Sequence, residues 1–203
     1  MIRVRKALEK DRISRRTHKS LLVSFSKKLN KQKCDDMPEF LDVVDKNNHV
    51  IGKEERSIVH KKKLFHRSVC VFILNKENKL LVQTRSSIKD EYPLLKGFSM
   101  GGHLDSGETY EEAFDREIKE ELGIKIDRKN IKKLFTIKPC KENNFEFEKI
   151  YLLKYDGKIK ADPKEISKIE FVDINNLKNE IKEHPERFCP DFLIAFKRYF
   201  MKK

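Results

Sequence analysis

The chain has 203 residues, a formal net charge of +13, 38% hydrophobic and 39% charged residues, enough for one domain with its own core and an appendage. No apolar run approaches the roughly 20 residues of a membrane span. The N-terminus has no apolar signal core, and Cys34, Cys70, Cys140 and Cys189 form no C-x-x-C pair, so secretion is disfavoured and a reducing, cytoplasmic setting is expected.

Residues 1–33 hold twelve Lys/Arg against Glu9 and Asp11, which is ten of the thirteen net positive charges. A basic extension over 1–38 is therefore expected, with a body over 39–203 that is close to neutral. Leu21 or Leu22, Phe25 and Leu29 recur at helical spacing, which predicts a short amphipathic helix over 18–31. Three roles stay open for it: electrostatic contact with RNA or an anionic surface, an organelle-targeting segment, or a helix packed on the body. Glu9 and Asp11 count against targeting. Asp35-Asp36-Met37-Pro38 breaks the pattern.

From Glu39 the pattern becomes that of a mixed fold. Phe40–Asp45 and His49–Ile51, joined by Asn47-Asn48, predict a hairpin, and Arg56–Lys62 a short helix. Ser68–Leu74 is apolar and β-branched enough for a buried strand, with Lys79–Arg85 as its hairpin partner. Further strands are expected at Ile131–Ile137, Phe145–Tyr155 and Lys168–Val172. Helices are expected at Asp173–Glu183 and Pro190–Tyr199.

The informative stretch lies between. Thr109 followed by Glu112 is a capping-box signature that starts a helix near Tyr110. On that helix Glu117, Glu120 and Glu121 fall within about one third of the circumference. Phe114, Ile118 and Leu122 form the neighbouring apolar stripe. Three crowded carboxylates repel one another unless they share a cation, and hard oxygen donors suit Mg²⁺ or Mn²⁺. Gly102, Glu108, Arg116-Glu117, Ile118, Glu120-Glu121, Gly123 and Ile124 stand at the fixed spacing of the Nudix box, so the stretch resembles that of a Nudix hydrolase.

The resemblance implies an α+β fold, an α/β/α sandwich with a mixed sheet and a catalytic loop-helix, covering nearly everything from residue 39. It implies hydrolysis of a small-molecule diphosphate, with Glu117, Glu120, Glu121 and the carbonyl of Gly102 holding Mg²⁺ (or Mn²⁺). Arg116 is expected to orient a box glutamate and Glu108 to support the loop. Arg85 and Lys89, before the box, are candidates to meet substrate phosphate. Phe98, Tyr92 and Phe145 are candidates to stack a base, or are core and loop residues.

Outside the box, the segments LDVVDKNNHVIG, HRSVCVFILN and HPERFCPDF resemble isopentenyl diphosphate isomerase and the Nudix hydrolases closest to it. By that likeness His60, His66, His103, Glu146 and Glu148 are candidates for a second metal. Glu146 and Glu148 alternate on a strand and so share a face; Glu148 is also a candidate general base. The isomerases carry a catalytic cysteine two positions before the GH histidine, where this chain has Gly101. The expected activity is therefore hydrolysis, of a nucleoside di- or triphosphate or a related derivative. An isomerase and an RNA-binding Nudix protein are the alternatives.

Overall fold

In the computed structural model, which describes residues 38–201, β1 (Phe40–Val44) and β2 (Val50–Glu55) form an antiparallel hairpin. The turn places Asn48 at φ 68°, a conformation that asparagine tolerates. The short α1 (Arg56–Lys62) follows. The expected basic extension and its helix over 18–31 lie outside the described residues.

The sheet is built on β3 (His66–Leu74), where every residue but Arg67 is buried. Its side chains alternate between two cores: Val69, Val71 and Ile73 face one, Cys70, Phe72 and Leu74 the other. Both faces are covered, which is why the segment is apolar throughout rather than alternating. The chain continues through β4 (Leu80–Arg85), β5 (Lys96–Gly97), β6 (Met100–His103) and α2 (Tyr110–Leu122). After these come β7 (Ile131–Ile137), β8 (Glu146–Lys154), β9 (Ile166–Val172), α3 (Ile174–Glu183) and α4 (Pro190–Phe200). β3 pairs in parallel with β8 and antiparallel with β6; β8 carries β7, and β4 carries β5 and β9. Helix α2 covers one face through Phe114, Ile118 and Leu122, and α3 and α4 the other through Leu177, Ile181, Phe192 and Phe196. This is the expected α+β sandwich with a mixed sheet.

One pairing differs from expectation. β3 and β4 form a hairpin only at its base, Leu74 with Leu80. Beyond that point Ser99 separates them: its hydroxyl accepts from Ile73 N–H (2.8 Å) and donates to the Leu81 carbonyl (2.6 Å). The freed edge of β3 is taken by β6, which delivers Gly101, Gly102 and His103 to the middle of the sheet. Among the described residues, no helix is long and apolar enough to cross a membrane.

Candidate active site

The box helix is bounded by the chemistry expected of it. Thr109 and Glu112 close a reciprocal capping box, and Gly123 ends the helix at φ 62°. Its successor Ile124 returns a hydrogen bond to the Ile118 carbonyl, so the C-terminal carbonyls are satisfied by a left-handed glycine turn. The apolar stripe anchors α2 so that its carboxylate face meets β6.

Glu117 lies against the backbone of Gly102. A Cβ on Gly102 would stand 2.2 Å from the Glu117 carboxyl carbon, so only glycine permits this approach. Arg116 fixes the arrangement: it donates to Glu117 (Nη1–Oε1 2.7 Å), forks Glu108 (2.8 and 2.7 Å) and reaches the His103 carbonyl (2.9 Å). Glu108 in turn accepts from Asp105 N–H at 2.8 Å. Asp42 on β1 ties down the loop from outside, accepting from Ser106 Oγ (2.8 Å) and Gly107 N–H (3.1 Å).

The three box glutamates sit at different depths. The Glu120 side chain is 62% exposed, whereas Glu121 is buried and its Oε2 has no hydrogen-bond partner. Burial pushes the Glu117 carboxyl up to about 7 against the opposing pull of Arg116. Burial, then the charges of Glu117 and Glu165, push Glu121 well above the carboxylate range, while Lys89 and Arg85 pull it back. A buried carboxylate oxygen with no donor is costly, and a cation relieves that cost. The all-oxygen donor set and the Gly102 cradle fit Mg²⁺ or Mn²⁺.

Arg85 and Lys89 reach this site electrostatically, but each already has a partner: Arg85 Nε donates to the Glu91 carbonyl (2.9 Å) and Lys89 pairs with Glu165. Glu165 has no motif around it and was missed in the sequence. It arrives because the Ser86 N–H donates to its carbonyl and β9 pairs with β4.

A second group of donors assembles beside β6. His60 from α1, His66 from β3, His103 from β6 and Glu146 from β8 offer ligand atoms within 4.8 Å of one another. His66 Nδ1 lies 2.9 Å from the Leu64 carbonyl, which can only accept, so that nitrogen carries the proton and Nε2 faces Glu146 at 3.5 Å. His60 Nδ1 is likewise engaged, 2.8 Å from Glu91, leaving a buried Nε2 without a partner. Outward-bonded imidazoles with their other nitrogen turned inward are what metal-binding histidines show. Burial alone would raise Glu146, yet the charges and hydrogen bonds of His103 and His66 hold it well below the carboxylate range.

Glu148 shares the face of β8 with Glu146 but takes other partners. It is 1% exposed and accepts from Cys70 Sγ at 3.2 Å. Burial first, then the charges of Asp191 and Glu146, push its carboxyl well above the ordinary value. Cys70 stands directly opposite Gly101 in the β3–β6 register, a neighbour across strands that linear spacing does not reveal. Of the aromatic candidates, Phe98 is a core residue packed on Phe72 and Phe192. Phe145 stacks on Phe65 with centroids 6.5 Å apart, and Tyr92 is half-buried beside Asn144.

A model of the NUDIX domain matches residues 64–192. The chain is 40% identical over 119 residues to an uncharacterized Nudix hydrolase of Nostoc sp., across 58% of this chain and 70% of that one. It is 31% identical over 164 residues to an isopentenyl-diphosphate Delta-isomerase of Serratia proteamaculans, across 79% and 91%. A crystal structure of a Deinococcus radiodurans protein matches with a TM-score of 0.69 at 30% identity, over 79% of this chain and 98% of that one. The box geometry and these likenesses agree: the chain belongs to the Nudix hydrolase family, enzymes that act on diphosphate-containing substrates.

Proposed function

We propose that this chain is a Mg²⁺- or Mn²⁺-dependent hydrolase cleaving a diphosphate linkage in a nucleoside di- or triphosphate or a related nucleoside diphosphate derivative. The observation that carries the reading is the unpartnered, buried Glu121 Oε2 beside Glu117, faced by the charges of Arg85 and Lys89. Glu117, Glu120, Glu121 and the Gly102 carbonyl would hold the cation. A divalent cation held there would neutralise diphosphate oxyanions and acidify the attacking water.

The chain's own residues do the rest. Arg116 locks Glu117 against Gly102, so the carboxylate is aimed before substrate arrives. Arg85 forks a phosphate, and Lys89 exchanges Glu165 for a phosphate oxygen as a point charge. The proton released by the attacking water passes to a carboxylate outside α2: Glu148 on β8, once it has lost its own proton, or Glu165 on the rim. His60, His66, His103 and Glu146 would hold a second cation, since their inward nitrogens and carboxylate form a donor set for it. Tyr92, Glu91 and Asn144, hydrogen-bonded to one another beside Arg85, offer a polar rim that suits a nucleoside better than a hydrocarbon tail. Residues 39–203 constitute the hydrolase domain, and residues 1–33 supply a basic contact for RNA or an anionic surface.

Isomerisation is the second reading, favoured by the Serratia relative. It needs two acid–base groups on opposite sides of the substrate. Gly101 supplies none, and Cys70 is hydrogen-bonded to Glu148, so those two act from one side. Incubation with a panel of nucleoside di- and triphosphates and with isopentenyl diphosphate, with Mg²⁺ or Mn²⁺ and products followed by NMR, tests both. Release of phosphate or diphosphate from a nucleotide is expected; conversion of isopentenyl to dimethylallyl diphosphate at a catalytic rate would overturn the assignment.

A further inference from the structure

Three donors, two of them buried and Asp191 partly so, stand apart from the box helix and from the imidazole cluster. Cys70 comes from β3, Glu148 from β8 and Asp191 from the first turn of α4, and each offers one ligand atom within 4.8 Å of the other two. Cys70 Sγ is 3.2 Å from Glu148 Oε1. Glu148 Oε2 and Asp191 Oδ1 are sealed from water and no donor of the protein reaches them; the two carboxyls satisfy one another only where a proton is shared between them. Two acceptor oxygens left without a donor inside a protein cost free energy. Something positive belongs among them, either a proton or a metal ion.

The surroundings favour the ion. The thiol faces Gly101, where a Cβ would come within 3.2 Å of Sγ, so any larger residue there would crowd the sulfur. The three donors ride on elements held by the parallel β3–β8 ladder and by the Phe192 and Phe196 contacts of α4, a rigid mounting rather than a loop. In a tetrahedral site, donor atoms stand about 3.3–3.7 Å from one another, and the Sγ–Oε1 separation is already close to that.

We propose that Cys70, Glu148 and Asp191 form a binding site for a thiophilic divalent cation of the zinc type, separate from the cation of the box glutamates. The donor sets sort the metals: one sulfur and two carboxylates select zinc over magnesium, whereas the all-oxygen box does the reverse. Three protein donors leave a fourth position for water. Bound there, the ion engages Glu148, which leaves Glu165 as the acceptor of the proton from the attacking water, and it joins the first turn of α4 to the central strands.

The test reads sulfur ligation directly, because the imidazole cluster competes for zinc and stoichiometry alone would mislead. The purified full chain is loaded with Zn²⁺ or Co²⁺ alone. With metal in excess over the imidazole cluster and the box, zinc X-ray absorption is expected to show sulfur at about 2.3 Å in its averaged shell, and Co²⁺ a thiolate-to-cobalt charge-transfer band. Cys70→Ser should abolish the band, and Asp191→Asn, which keeps the thiol, should weaken cobalt binding by roughly tenfold or more. Glu121→Gln should leave the band unchanged while hydrolysis falls, so failure of the hydrolase reading is distinguishable. A zinc shell of nitrogen and oxygen only would overturn the site using the wild-type protein, whether or not the variants fold. A band that survives Cys70→Ser would overturn it as well, since the sulfur would then belong to another cysteine.

Discussion

Replacing Glu117 with Gln in metal-free protein should change the pH dependence of stability by a calculable amount. Burial pushes this carboxyl from 4.5 up to about 7, with Arg116 opposing. Between those values the folded chain holds a proton that the unfolded chain has released. Stability is therefore present at low pH and is lost as pH rises toward 7. At about 1.4 kcal/mol per pH unit, the span corresponds to about 3 kcal/mol. Asp191, pushed up to about 6, and Glu121 and Glu148, raised by burial, slope the same way, so the wild-type curve alone does not isolate Glu117. Groups held low, such as Asp90, Glu91 and Glu146, are ionised in both states above pH 5 and leave this window flat. The difference between the two proteins is therefore the quantity to measure. Urea unfolding in chelator at pH 5 and pH 8 should show Glu117→Gln gaining about 3 kcal/mol or more on the wild type over that interval, since losing the Glu117 charge also lets Glu121 fall toward its ordinary value. The lost contact to Arg116 shifts the variant's curve as a whole and does not imitate the slope. Adding Mg²⁺ should stabilise the wild type at pH 8, by mass action, by more than it stabilises the variant. Parallel curves for the two proteins would refute the desolvated-carboxylate account of the site.

Glu120→Gln and Glu121→Gln keep shape and remove a charged ligand; each should slow diphosphate hydrolysis by on the order of 10²-fold or more, about 3 kcal/mol in the barrier, and rates within a few-fold of wild type would count against the metal site. Arg116→Lys keeps the charge but cannot fork Glu108 while reaching Glu117 and the His103 carbonyl, so chemical denaturation should report a loss of about 1–3 kcal/mol, and an unchanged midpoint would deny it a positioning role. Deletion of residues 1–33 should leave turnover of small substrates intact and abolish a salt-sensitive affinity for RNA or anionic lipid; an inactive or insoluble product would show that Leu22, Phe25 and Leu29 pack on the domain.

The box helix could be located from sequence because its determinants are local. Thr109 and Glu112 meet within one turn, Gly123 ends the helix through its own backbone, and the glutamate face follows from helical periodicity. Strand positions could be located for the same reason, since β-branched and apolar runs announce themselves. The pairing of strands was another matter. Whether β4 or β6 takes the edge of β3 depends on Ser99 inserting between Ile73 and Leu81, a contact among residues far apart in the chain. Glu165 enters the box site only through the pairing of β9 with β4, and Asp42 only because β1 runs past the box loop. Cys70 is 31 positions from Gly101 in sequence and directly opposite it in the sheet. Glu148 alternates with Glu146 as the strand period requires, yet its partners, Cys70 and Asp191, are set by the β3 register and the docking of α4. Short-range hydrogen bonds and side-chain periodicity decide which elements form and where the carboxylate helix lies, so both can be read from the order of residues. Which donors meet in the interior cannot, because burial and register arise only when the elements pack together.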